Sequence, residues 1–258
     1  MGTKFSTRVW VSVVGIASIF FGSKGYADTV ISVADFGLKP DTRENTVAYV
    51  QKAIEACRGK EPVTLVFPEG RYDFWPQYAH EKNYYETNTY DVFPKRLAML
   101  FEGLHNITVD GNGSQFVMHD RIQPITVENC DGVTLKNFSI DWDIPLTAQA
   151  RVTKVGSDFF EIEINVLESP YIIEDGKLVF VGEGWKSALG SMIEFESDTH
   201  FVVPGTGDLV LGWNWGDYTA VSPRYGIVRL SRKGGFERYP AEGNWLVLRH
   251  STRAVSYT

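Results

Sequence analysis

Asp141 and Asp143 stand two residues apart in the segment Asn137-Phe138-Ser139-Ile140-Asp141-Trp142-Asp143. On a β-strand this spacing puts both carboxylates on one face, with Cα atoms roughly 6.5–7 Å apart. Paired carboxyl groups are the working parts of glycoside hydrolysis, in which one protonates the leaving oxygen and the other activates water. The competing reading is a turn-capping Asp beside a solvated one. Trp75, Trp142 and Arg121 are candidate substrate contacts, since indole faces pack against the apolar face of a pyranose. Trp213 and Trp215 alternate in the same way and suit either a sugar platform or a barrel core, with the core favoured.

Other polar groupings carry less chemistry. Asp110-Gly111-Asn112-Gly113 fits a β-turn better than a calcium loop, which needs several converging oxygens. His119-Asp120-Arg121 falls at a turn between strands. Neighbouring side chains on a strand point opposite ways, so His119 and Asp120 do not form a catalytic pair, and a structural role is expected. Ser-nucleophile motifs, P-loops, dinucleotide fingerprints and Cys/His metal spacings are missing from the sequence, and neither a metal nor a cofactor is expected.

The elements that would position these residues repeat. Asn106-Ile-Thr-Val-Asp-Gly-Asn112 and Gly132-Val-Thr-Leu-Lys-Asn-Phe138 align at an offset of 26 residues, with Ile107 on Val133, Thr108 on Thr134 and Val109 on Leu135. One such strand cannot bury its apolar face, but stacked copies can, and a period of this length marks a solenoid. All four of Ile107, Val109, Val133 and Leu135 are expected in its core. Upstream, residues 30–36 alternate as a strand. Val47, Val50, Ile54 and Cys57 mark one face of a helix, with Asn45 as N-cap and Gly59 as stop. Residues 63–67 form a buried strand before the turn Pro68-Glu69-Gly70. This order suits the cap of a first coil. Residues 74–96 read as a long, Tyr-rich connection, and the coils run from Leu97 to about Ile144.

From about residue 150 the rhythm changes. Residues 152–155 and 159–164 flank Gly156-Ser157-Asp158 as a hairpin, and short strands are expected at 178–181, 192–195, 200–203, 227–230 and 245–248. This is an inserted antiparallel barrel or sandwich. The fold class is therefore all-β: a parallel β-helix with its N-terminal cap and first coils, plus an inserted antiparallel β-barrel. Its parts are a signal peptide at 1–27, cap and coils at 28–148, the insert at 149–248, and a short return toward the β-helix at 249–258.

The signal peptide rests on Lys4 and Arg8, the apolar run 9–21 and the small residues of Gly25-Tyr26-Ala27, and it implies a secreted or periplasmic product. That run is short and interrupted for a membrane span. Residues 1–27 hold three of the 25 basic residues and none of the 32 acidic ones, which leaves a mature net charge of −10. Such a balance argues against nucleic acid and polyanionic substrates and tolerates neutral glycans. Cys57 and Cys130 are too widely spaced to be a disulfide framework; free thiols are favoured over a bridge.

Three blocks carry a family resemblance. Leu65-Val-Phe-Pro-Glu-Gly-Arg-Tyr-Asp-Phe-Trp-Pro76, Asn137-Phe-Ser-Ile-Asp-Trp142 and Val247-Leu-Arg-His250 resemble motifs of glycoside hydrolase family 110. The resemblance runs from about residue 30 to 250. It implies an exo-acting α-galactosidase that removes terminal α-1,3-linked galactose with inversion, needs no cofactor, and folds as a right-handed parallel β-helix with β-barrel inserts. Family members are longer, and their catalytic Asp residues lie on later coils. No motif carries that pair onto numbered positions here, so the expectation is an N-terminal portion that ends before the catalytic coils. Two rivals are a non-catalytic galactoside-binding or surface protein, and another β-helix carbohydrase such as a polysaccharide lyase. The acidic balance argues against the lyase.

Overall fold

A computed structural model of the chain describes residues 29–85, 92–205, 209–210 and 218–250. The signal peptide, Trp213, Trp215 and residues 251–258 of the expected return segment lie outside the described residues. The N-terminal elements are β1 (Thr29–Ser32), α1 (Val47–Cys57), β2 (Val63–Val66) and β3 (Arg71–Phe74). They are followed by β4 (His80–Tyr85), β5 (Val92–Glu102), β6 (His105–Met118), β7 (Gln123–Glu128) and β8 (Asp131–Trp142).

Strands β1, β2, β6 and β8 pair in parallel, and β3 joins the second half of β6. A second sheet stacks β5 on β7 in parallel, with β4 antiparallel on the other edge of β5. The register sets Ile107 against Val133 and Val109 against Leu135, the same 26-residue offset that the sequence suggests. The offset shifts at the corner 110–114, where Asn112 and Gly113 take positive φ and Asn137 does so on β8. Gly111 is required at this corner: a Cβ there would lie 2.5 Å from Phe138 Cβ. Asp110 accepts hydrogen bonds from Asn112 N (3.0 Å) and Asn137 Nδ2 (2.9 Å), so the segment expected as a β-turn is instead a bend inside β6, held by its own side chains.

The core of this parallel part is aromatic and aliphatic. Phe67, Tyr72, Phe74 and Phe116 are fully buried, with ring centroids 4.8–6.2 Å apart in tilted and edge-on contacts. Ile107 and Val109 are buried, Val133 is half-buried, but Leu135 is 40% exposed, contrary to expectation. Among the described residues β8 pairs only with β6, so its apolar side chains have a neighbour on one side alone.

Three further expectations change. Residues 33–36 form a 3-10 turn rather than strand, because Ser32 and Asp35 close a capping box (Ala34 N to Ser32 Oγ, 3.2 Å; Ser32 N to Asp35 Oδ2, 3.3 Å) and Gly37 follows at φ 89°. The supposed loop 74–96 holds the antiparallel pair β4–β5. Its alternation is masked by charge, since Lys82 on β4 reaches Glu102 (2.8 Å) and Glu128 (2.7 Å) across the sheet. Thr46 rather than Asn45 precedes α1, although Asn45 Oδ1 does accept from Val47 N at 3.1 Å.

The second half is antiparallel. It comprises β9 (Thr147–Val155), β10 (Phe159–Ile164), β11 (Tyr171–Glu174), β12 (Lys177–Gly182), β13 (Trp185–Ala188) and β14 (Ser191–Phe195). It continues with β15 (Leu209–Val210), β16 (Thr219–Arg224), β17 (Ile227–Ser231) and β18 (Trp245–Arg249). Seven strands run in the order β15-β14-β18-β9-β10-β17-β16, and β11-β12-β13 form a separate meander. Residues 200–203 supply only an isolated bridge from Val202 to Phe195 rather than a strand. A second core gathers Ala148, Val152, Phe160, Ile162, Leu230 and Leu248. Trp142 packs on both cores and so ties the two halves together. Cys57 and Cys130 are free thiols, and burial pushes the Cys57 thiol up to about 11.

Candidate functional site

The parallel register lays Asp73 of β3, Val117 of β6 and Asp141 of β8 in one row. Tyr72, Phe74, Phe116 and Met118 fill the core, so by strand alternation this row faces the opposite way. Beyond the ends of the strands the ladder continues. His119 N donates to Phe74 O (2.9 Å), and Asp143 N donates to Met118 O (3.0 Å). Two carboxylates, a histidine and Arg71 therefore collect on one face.

Arg71 grips Asp73 with Nε at 3.0 Å from both oxygens, and its Nη2 reaches Asp143 Oδ1 at 2.8 Å. His119 sets Nε2 2.8 Å from Asp73 Oδ1 and Nδ1 2.7 Å from Glu183 Oε2. Glu183 comes from the other half of the molecule. It sits with Gly184 in the two-residue turn between β12 and β13, where Gly182 pairs with Trp185. The order Asp143–Arg71–Asp73–His119–Glu183 is thus a continuous ionic chain across the seam. His119 thus places one ring nitrogen against a carboxylate from each half of the molecule.

Electrostatics favour the ionised Asp73–Arg71 pair. Burial by itself would raise the Asp73 carboxyl, but hydrogen bonds from Arg71 and His119 outweigh it and hold it below the usual carboxylate range. Arg71 is raised, first by its bond to Asp73 against the cost of burial, and stays cationic throughout. The indole of Trp75 stacks on His119 with centroids 3.7 Å apart and planes 9° from parallel, covering the ring from the side.

The sequence-read candidates separate. Asp143 joins the ionic chain. Asp141 is exposed, and its Oδ1 accepts from the Trp142 amide at 2.8 Å, so the two do not work as one pair on shared partners. Trp142 is committed to packing, with its indole Nε1 donating to Asp120 O at 3.2 Å. Trp75 covers His119. Arg121 lies apart, with its guanidinium 5.8 Å from the Trp185 ring. Sequence reasoning missed Arg71, Asp73 and Glu183. Arg71-Tyr72-Asp73 had the same i, i+2 spacing that singled out Asp141 and Asp143, and that signal could have found them.

Asp143 and Glu183 are the outer carboxylates of the chain, with side chains 37% and 34% exposed. Oxygens of both lie within 4.8 Å of each other and of a His119 nitrogen. An inverting glycosidase holds its carboxyl groups about 6.5–9.5 Å apart to admit water. This pair is closer, and each member is already ion-paired. The same three side chains offer donors to a cation. A cation would have to displace the His119–Glu183 bond and sit beside the Arg71 guanidinium, so the donor set does not fit a metal. The arrangement works best as a clamp between the two halves.

Residues 148–246 match the GLAA-B beta-barrel domain I. Over 229 residues, 88% of the chain, the sequence is 57% identical to alpha-1,3-galactosidase B of Bacteroides thetaiotaomicron, of which it covers 37%. It is 32% identical over 225 residues to alpha-1,3-galactosidase A of Shewanella woodyi and 33% identical over 234 residues to alpha-1,3-galactosidase A of Bacteroides fragilis. The chain spans 36–37% of the length of these three relatives.

Proposed function

We propose that this chain, homologous to the alpha-1,3-galactosidases of glycoside hydrolase family 110, is a portion of an exo-acting α-galactosidase that removes terminal α-1,3-linked galactose from glycans with inversion and without a cofactor. The identity of 57% with alpha-1,3-galactosidase B is the observation that carries this reading. The parallel stack β2–β6–β8 and β5–β7 is read as the first coils of a right-handed β-helix, and residues 149–248 as a barrel insert. Export, with cleavage after Ala27, follows from the charged start and apolar run of the leader. Among the described residues no helix is long and apolar enough to cross a membrane.

The described residues supply scaffold and glycan contacts in this proposal. Trp75 and Arg121 are its sugar-contact candidates. Asp141 and Asp143 remain the local carboxylates to test, but Asp143 is ion-paired with Arg71 and Asp141 accepts from the Trp142 amide. This engagement favours a second reading, galactoside binding without turnover.

The test is galactose release from an α-1,3-linked terminal disaccharide by the purified mature chain, beside calorimetric binding of the same sugar. The expected result is little or no release from these residues alone. Rapid release abolished by Asp141→Asn or Asp143→Asn would instead place the acid and base at the end of β8. Measurable binding with no release would favour the second reading.

A further inference from the structure

The antiparallel half carries apolar residues on a face that alternation should make polar. Met192 and Glu194 of β14 are buried, as are Leu246 and Leu248 of β18. Ile193, Phe195, Trp245 and Val247 therefore point to the other face of the sheet. An antiparallel sheet with one face on a core normally sets polar residues on the other. Strands β9 and β10 do so with Gln149, Arg151 and Glu163, whereas β14 and β18 do not. Phe195 lies directly opposite Trp245, and Val247 lies opposite Gln149. Trp245 is 38% exposed.

A pocket of about 460 Å³ sits on this face, and its lining includes Gln149, Phe195, His200, Trp245 and Val247. His200 comes from the tight turn after β14, where Glu196 N donates to Phe201 O (2.9 Å) and Val203 N to Glu194 O (3.0 Å). Among the described lining residues none is Asp, Glu, Lys or Arg, and Arg151, which follows Trp245 in the row, is not part of the lining.

These features narrow the ligand. The volume falls within the range of small-molecule sites, about 300–1,000 Å³. A stable protein interface engages roughly 20–30 residues a side, far more than this pocket offers. An ionic ligand finds no Asp, Glu, Lys or Arg in the described lining. An aliphatic ligand leaves the Gln149 amide and the His200 imidazole unmatched, although each can both donate and accept. A neutral sugar meets both conditions: its C–H face packs on the indole, and its hydroxyls donate and accept.

We propose that this pocket binds one neutral pyranose unit of a glycan, with Trp245 as the platform and Gln149 and His200 as the polar contacts. The choice of a sugar as ligand rests on the galactosidase reading. The pocket draws on β9, β14 and β18, none of which supplies a residue to the chain Asp143–Arg71–Asp73–His119–Glu183, so it holds a glycan without cutting it.

The test is calorimetric titration of the purified chain with methyl α-galactoside and methyl α-glucoside. At least one should bind, with an affinity that stays constant as salt rises because no ion pair forms. Trp245→Ala should weaken binding about tenfold or more. Trp245→Phe keeps an aromatic face and should weaken it less. Gln149→Ala, at an exposed position that leaves the core untouched, should weaken it severalfold. Binding of the glucoside alone would support the pocket while counting against the galactosidase reading. Absence of binding by both glycosides, or affinity unchanged in folded Trp245→Phe and Gln149→Ala, would overturn the proposal whatever galactose release shows. Dimerisation abolished by Trp245→Ala, without sugar binding, would overturn it by assigning the face to a second copy of the chain.

Discussion

His119 Nδ1 and Glu183 Oε2 meet at 2.7 Å across the seam between the parallel stack and the antiparallel half. The residues are 64 positions apart, and the turn that presents Glu183 has no other ion pair to the parallel part among the described residues. This contact therefore reports on whether the two halves are docked.

Glu183→Gln should loosen that docking with little effect on either core. The Glu183 side chain is about a third exposed, so solvent screening holds the cost to about 1 kcal/mol, below that of a fully buried charged bond. A double-mutant cycle with His119→Gln, read by chemical denaturation, should return a coupling of about 1 kcal/mol. Zero coupling would mean that the contact does not hold the seam.

Asp73 carries a larger load. It is 1% exposed and binds both Arg71 and His119, so Asp73→Asn removes the buried carboxylate that the two share. A loss of about 3–5 kcal/mol is expected. The pH dependence has a definite sign. Because the folded Asp73 carboxyl lies below its ordinary value, its stabilisation is complete above the unfolded pKa near 4 and disappears as pH falls through the folded value. Stability of the Asn variant, measured from pH 6 down to about pH 2, should lose this acid-side slope.

His250 acts in a neighbouring window. Burial first, and the nearby charge of Arg121 second, push it down to about 4. The ring is neutral at pH 7 and stacks on Phe180 with centroids 4.3 Å apart. Stability from this group is complete above the unfolded value near 6.5 and is lost as pH falls toward 4, by up to about 3 kcal/mol. His250→Phe should flatten the stability profile between those values. An unchanged slope would show that His250 titrates normally.

Stacked positions should differ sharply in cost. Ile107 is fully buried, and Ile107→Ala should cost about 2–4 kcal/mol. Leu135 lies on the outer strand and is 40% exposed, so Leu135→Ala should cost about 1 kcal/mol or less. Denaturant midpoints at constant slope would measure both. A Leu135 cost as large as that of Ile107 would mean that another surface covers β8 in solution.

Short-range patterns carried most of the strand content, the helix α1 and the pairing register. A period of 26 residues places Ile107 beside Val133 because each copy must bury the same apolar face, and the parallel ladder realises that alignment as far as Asp110. The change of rhythm near residue 150 likewise marks where the second core begins. Local pattern fails where charge interrupts it, as in β4, and where a capping box competes with strand, as at Ser32. It also cannot tell which strand ends up outermost: Leu135 has the spacing of a core residue and the exposure of an edge. The ionic clamp lay further out of reach. Asp73, His119 and Glu183 come from a strand, the end of another strand and a hairpin tip, and no periodicity links them. Side-chain spacing decides which face a carboxylate occupies, but its partners are decided by how far other segments travel to meet it. That is why Asp143 ends on Arg71 while Asp141, two residues away, binds its own chain.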